Sequence, residues 1–220
     1  MKLATKQLRT KAKMIAAGMG VLLLALAALM ISKNALAAGF ETIETPQNTT
    51  AEDKVEVLEF FWLGCPHCYA FEPFIEEWEK DAPEHVVFVR EAPALNPSWE
   101  QHSRGFYTAQ LLGKEHEFVV AMFDAIHEKR QPMRDPKKIA ELAGTLGMDE
   151  DKFLSTMKSF AVEGKLKQAR DKAIKAGISS VPSVIVNGKY RVSSQISGGH
   201  EGIIDSINER VEFEKNAMNL

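Results

Sequence analysis

Two cysteines stand three positions apart in Cys65-Pro66-His67-Cys68, and they are the only cysteines in the 220-residue chain. A structural zinc site takes four nitrogen or sulfur ligands, and no second cysteine pair is present to complete one. As a staple the bond would be weak, because closing a four-residue loop gives about 2 kcal/mol in the chain-entropy model, against about 3 for fifteen residues. Thiol–disulfide exchange is the best use of this spacing, with metal binding and an incidental disulfide as the alternatives.

The flanking residues favour the redox use. Residues 55–61, Val-Glu-Val-Leu-Glu-Phe-Phe, form a short β-branched and aromatic run that reads as a buried strand, and residues 65–80 read as a helix. A helix starting at Cys65 sets its thiolate against unpaired backbone N–H groups and the positive end of the helix dipole, lowering its pKa. Pro66 suits the first helical position, where a missing N–H costs nothing. His67 adds a group that stabilises the thiolate when protonated or donating; without the cysteines it would read as a solvated loop residue. Each pKa unit removed from Cys65 is worth about 1.4 kcal/mol, or roughly 30 mV for a two-electron couple. Stabilising the reduced form makes the disulfide a stronger oxidant.

Cys-Pro-His-Cys after an apolar strand, with Val181-Pro182 far downstream before a second strand, closely resembles the DsbA-type thiol:disulfide interchange proteins. The resemblance runs from about Val55 to Arg210. It implies an α/β thioredoxin fold with an inserted α-helical domain, a periplasmic oxidant, and catalytic roles for Cys65, Pro66, His67 and Cys68. It also implies a proton-relay role for Glu59, six residues before the first cysteine, where the alternative is a partly exposed carboxylate paired with a lysine or arginine. A carboxyl in an apolar strand should carry a raised pKa in any case. Arg90 stands where the family often carries a basic residue and is a candidate partner for Glu59. Spacing alone makes Pro182 an ordinary trans proline. The resemblance makes it cis and packed on the active-site pair, with the Val181 backbone offered to an extended peptide substrate.

Residues 1–13 carry five bases and no acid and precede an apolar run at 14–31. Ala35-Leu36-Ala37 then supplies small residues at the positions a signal peptidase reads. This predicts a secretory signal peptide cleaved after Ala37, the alternative being an uncleaved anchor. Export fits two cysteines kept for chemistry rather than for stapling a core. Six of the 27 Lys and Arg lie in residues 1–37, leaving 21 against 30 acids and a formal charge of −9. That balance argues against nucleic-acid binding.

The mature length suits one domain with an insertion. Residues 40–53 read as a polar extended arm, and the sequon at Asn48 is assigned no role. Phe71, Phe74, Ile75 and Trp78 form the buried stripe of the first helix, which Pro73 should kink. Residues 86–89 predict a second strand, parallel to the first. Helical spacing recurs at 99–112, 114–129, 136–144, 149–162 and 163–176, the last with Leu166, Ala169, Ala173 and Ile174 buried. Strands at 183–186 and 189–192 around Asn187-Gly188 predict a hairpin, and a final helix spans 200–212. The division is thus 38–96 and 163–215 for the thioredoxin-like parts and 97–162 for the helical insertion. His102, His116 and His127 fall in the insertion and read as solvated rather than as metal ligands.

These readings converge on a periplasmic dithiol oxidase of a Gram-negative bacterium, a monomer without bound cofactor, that donates its Cys65–Cys68 disulfide to unfolded exported proteins with free thiols. By resemblance its reoxidant is a membrane quinone-linked oxidase of the DsbB type. The rivals are a reductase or isomerase on the same fold, a metal-carrying module using Cys65, Cys68 and His67, and a peptide-binding chaperone. The Pro-His pair speaks against the first, as does the lack of a preceding dimerisation domain. Scattered methionines speak against a copper carrier.

Overall fold

The computed structural model describes residues 39–220, so the expected leader and its cleavage after Ala37 lie outside the described residues. Among the described residues five strands form one mixed sheet in the order β1-β5-β4-β2-β3. They are β1 Glu41–Thr42, β2 Val55–Phe60, β3 Val86–Glu91, β4 Ser183–Val186 and β5 Tyr190–Ser193. β2 lies between a parallel partner, β3, and an antiparallel one, β4. All six of its residues are buried, because helices cover both faces, the two glutamates Glu56 and Glu59 included. Joining parallel neighbours requires a crossover, supplied by helix α1, Pro66–Lys80, which runs on through Pro73.

Between β3 and β4 the chain is helical: α2 Glu100–Leu111, α3 Glu115–Phe123, a π-helical turn Asp124–Glu128, α4 Pro136–Thr145, α5 Glu150–Met157 and α6 Phe160–Lys175. The β4–β5 hairpin pairs Val186 with Tyr190 across a three-residue loop, 187–189, in which Asn187 and Gly188 take positive φ (49° and 66°) and the Lys189 N–H donates to the Val186 carbonyl at 3.0 Å. A one-turn helix, α7 Ser194–Ser197, and a long one, α8 His200–Met218, close the chain.

One face of the sheet packs Val55 and Val57 against Phe71 and Ile75 of α1 and Ile203 and Ile207 of α8. Trp78 Nε1 donates to Asn208 Oδ1 at 2.8 Å across these two helices. The other face packs Leu58, Phe60 and Ile185 against Ala173 of α6. A further core joins Phe106, Phe118, Met122 and Phe153 of the helical segment to Phe61, Leu63, Cys65 and Cys68. The two cysteines therefore sit where the sheet meets the helical segment.

The expected arm at 40–53 contains β1, whose two residues pair antiparallel with β5. The helix expected over 149–162 stops at Met157, and a new one starts at Phe160, so Val162 belongs to α6. Ser159 makes the break: its hydroxyl accepts from the Val162 N–H at 3.3 Å and caps α6. Ile174, expected to be buried, is 62 % exposed, and α8 runs six residues past its expected end at 212. Phe74 is only half-buried beside the fully buried Phe71 and Ile75.

Candidate active site

Residues 62–65 make a tight turn in which the Cys65 N–H donates to the Trp62 carbonyl at 2.9 Å. The Tyr69 N–H then bonds the Cys65 carbonyl at 3.0 Å, opening α1 with Cys65 as its N-cap (φ −88°, ψ 117°) and a proline in the first turn. Pro66 and His67 point to solvent, whereas Cys65 is 8 % exposed and Cys68 1 %. One sulfur can be approached and the other is sealed. A Cβ on Gly64 would lie 2.3 Å from the Trp62 indole, which stacks on Trp99 at 4.8 Å and 6°. Only glycine lets that indole fold back over the turn.

The two thiols are pushed apart electrostatically. Cys65 falls from an ordinary 9.0 to about 6, chiefly because the Cys68 thiol donates to it, with the backbone N–H groups of Cys68 and His67 and the His67 charge adding to the effect against the cost of burial. Burial and the neighbouring Cys65 raise Cys68 well above 9.0. His67 thus contributes less than the Cys68 thiol and the backbone do. A group with a depressed folded pKa gives stability that is present above its unfolded pKa and lost as pH falls through the folded one. The Glu59 carboxyl, which burial raises from 4.5 to about 7, works in the opposite sense, and only below about 7. Between pH 7 and 9 the reduced protein should therefore gain up to about 1.4 kcal/mol of unfolding free energy per pH unit relative to Cys65→Ser. Urea titrations of both forms at several pH values check this; parallel pH dependences would show an ordinary Cys65.

Behind the cysteines lies a buried ionic cluster. The parallel register of β2 and β3 sets Glu59 beside Arg90. Arg90 Nε donates to Glu59 Oε2 at 2.9 Å, and its two terminal nitrogens donate to the Glu72 oxygens at 2.8 and 2.6 Å. The expected Glu59–Arg90 pair is present, and Glu72 is the member that sequence reasoning missed. Its signal was an acid inside the apolar stripe of α1, next to Phe71. Burial raises the Glu59 carboxyl from 4.5 to about 7, Arg90 pulling it down and Glu72 pushing it up. Glu59 is also among the charges that raise Cys68, which puts the two within electrostatic reach.

The Val181–Pro182 bond is cis, and the Cys65 thiol lies 3.5 Å from the Val181 carbonyl oxygen as donor. Val181 is half-buried and Pro182 buried. The histidines depart from the solvated expectation in two of three cases. His116 is exposed, near Glu76 at 3.6 Å. His102 is buried, stacks on Trp62 at 5.9 Å and reaches the Pro132 carbonyl through Nε2 at 3.0 Å. His127 meets the Leu63 carbonyl at 2.8 Å, beside the cysteines. Among the described residues no group of three or more His, Cys, Asp or Glu could hold a metal ion.

A reachable acidic thiol, a buried partner and an adjoining backbone carbonyl are equipment for disulfide exchange. The family model of the DSBA-like thioredoxin domain matches residues 56–201. The chain belongs to this family. The thiol:disulfide interchange protein DsbA of Pseudomonas aeruginosa is 38 % identical over 182 residues, covering 82 % of this chain and 86 % of that protein. DsbA of Azotobacter vinelandii is 36 % identical over 206 residues, 93 % and 96 % of the two chains. The crystal structure of Pseudomonas aeruginosa DsbA superposes with a TM-score of 0.79 at 36 % identity, covering 83 % of this chain and 95 % of that one. The fold is that of the DSBA-like thioredoxin proteins, and the activity is that of a protein disulfide oxidoreductase.

Proposed function

We propose that this DSBA-like protein works in the oxidising direction in the periplasm, after removal of its leader, and introduces disulfides into newly exported proteins. The observation that carries the direction is the split between the thiols: Cys65 lowered to about 6 and Cys68 raised well above 9.0. The stabilised Cys65 thiolate favours the dithiol form, so the disulfide is a strong oxidant. A substrate thiolate attacks the Cys65 sulfur of the disulfide. The Cys65–Cys68 bond breaks, a mixed disulfide forms, and Cys68 leaves as a thiolate that takes up a proton. The substrate's second thiolate then attacks the substrate sulfur of the mixed disulfide and expels Cys65 as its thiolate. The substrate has lost two electrons and the protein holds them as a dithiol. Val181 offers its backbone to the extended substrate beside Cys65, and Pro182 shapes that edge.

Cys68 demands a proton on leaving, and Glu59, near 7, has one to give at neutral pH. Glu59→Gln is expected to slow mixed-disulfide formation by on the order of tenfold and to remove the step near pH 7 from its pH–rate profile. Stopped-flow mixing with a thiol peptide measures both, and an unchanged profile would take Glu59 out of the pathway. The helices at 97–162 act as an insertion between thioredoxin-like parts at 38–96 and 163–215, and a DsbB-type quinone-linked membrane oxidase restores the disulfide. The test of direction mixes oxidised protein with a peptide bearing two thiols. Stoichiometric formation of the peptide disulfide supports the oxidase; reduction of a peptide disulfide by the dithiol form, without the forward reaction, contradicts it.

A further inference from the structure

Two residues of the insertion, His127 and Glu128, reach the active-site turn and the first turn of α1 behind it. The turn runs over residues 62–65, closed by the Cys65 N–H to Trp62 carbonyl bond, so its central peptide joins Leu63 to Gly64. The Leu63 carbonyl belongs to that peptide and meets His127 Nε2 at 2.8 Å. A carbonyl only accepts, so Nε2 carries the hydrogen. The His127 ring lies flat on Tyr69 of α1, 4.8 Å away at 7°, and the Tyr69 hydroxyl donates to Glu128 Oε1 at 2.7 Å. Tyr69 in turn gives its backbone N–H to the Cys65 carbonyl. His127 and Glu128 both lie in the π-helical turn, the one irregular turn in this helical run, and such turns frequently accompany functional sites.

We propose that His127 is a positioning residue for Cys65, gripping the central peptide of the turn that delivers this cysteine to the start of α1. This deepens the oxidase reading and rests on it. The physical need comes from Gly64. A β-turn changes type when its central peptide flips, and a glycine at the third position accepts the flipped form without steric penalty. Local sequence therefore leaves the turn two conformations. The His127 hydrogen bond selects one, and the Leu63 side chain, fully buried against the insertion core, holds it from the other side. In the selected form the Cys65 sulfur faces the backbone N–H groups of His67 and Cys68. A flip turns the Leu63–Gly64 peptide plane while leaving the ends of the turn nearly in place, so what the His127 bond fixes is the direction of that peptide's dipole beside the Cys65 N-cap. The disulfide carries no charge to stabilise, so loss of the grip acts on the dithiol form. The insertion thereby tunes the oxidant without touching either sulfur.

The test compares two variants. His127→Phe keeps a ring against Tyr69 and removes the donor, whereas His127→Gln keeps an amide donor at similar reach. The readout is the thiolate absorbance of the reduced protein against pH, with thermal unfolding followed in parallel; His127→Met replaces the Phe variant should the latter fail to fold. The donor-less variant is expected to raise the Cys65 titration midpoint by about 0.7 unit, the roughly fivefold change that one neutral hydrogen bond is worth. The Gln variant should return it toward wild type. A purely packing role would spare the midpoint in the Phe variant or shift it equally in both, and either result overturns the proposal. The titration needs no substrate, so a wild-type protein that fails to oxidise a dithiol peptide refutes the oxidase reading while His127 is still decided by its own variants.

Discussion

Cys65→Ser abolishes dithiol oxidation completely, whereas Cys68→Ser stops turnover but leaves a protein that accumulates as a mixed disulfide: this is the expected pair of results. The asymmetry follows from the site. Cys65 is the sulfur a substrate can reach, and its depressed pKa makes it the better leaving group in the final step. Cys68 is 1 % exposed and raised well above 9.0, so at neutral pH it is a protonated thiol inside the core. With Cys68 replaced, Cys65 still exchanges with a substrate disulfide, and no neighbouring thiol remains to release the adduct. Non-reducing electrophoresis after alkylation reads both outcomes. A Cys65→Ser protein that still promoted folding of thiol-containing substrates would instead be a chaperone with incidental cysteines.

The second large effect concerns stability. Arg90 is buried and holds two carboxylates, Glu59 on one side and Glu72 through a bidentate pair on the other. Removing one partner from a buried ionic cluster leaves charge without compensation and costs about 3–5 kcal/mol. Arg90→Met should lower the midpoint of thermal unfolding by roughly 6–20 °C for a domain of this size. Glu59 already sits at about 7 with Arg90 present, so without it the carboxyl is driven further toward its neutral form. A carboxyl with a raised folded pKa costs stability as pH rises from its unfolded value through its folded one. The deficit of the variant is accordingly largest at neutral and alkaline pH and shrinks as pH falls toward 4.5. Glu59→Gln in the same background should recover part of the loss, a coupling that a double-mutant cycle measures. A loss under about 1 kcal/mol would mean that the cluster is hydrated rather than buried.

Local signals carried the core of the fold. The apolar run around Glu59, the Cys-Pro start of α1 and the Asn187-Gly188 hairpin are each fixed by neighbours in sequence, and each forms where expected. The misses are tertiary. β1 is two residues long and exists only because β5 offers an edge. The break at Lys158–Ser159 hides inside a continuous helical pattern, and a serine hydroxyl cap decides it. At the site, the cysteines, Glu59 and Arg90 could be read from position. Glu72 was legible only as an acid out of place on an apolar face. His127 had no such signal: the π-helical turn shifts the register by which a helix face is read, and its target, the Leu63 carbonyl, lies 64 positions upstream.

On the proposed mechanism, stabilising the Cys65 thiolate makes the Cys65–Cys68 disulfide oxidising. The most direct measurement is the equilibrium of the purified protein, residues 38–220, with mixtures of reduced and oxidised glutathione, quenched in acid and read by alkylation of free thiols. The expected result is a disulfide that survives only where oxidised glutathione is in large excess, with the dithiol dominant elsewhere. A disulfide that persists when reduced glutathione dominates would contradict the account and mark the pair as reducing or structural.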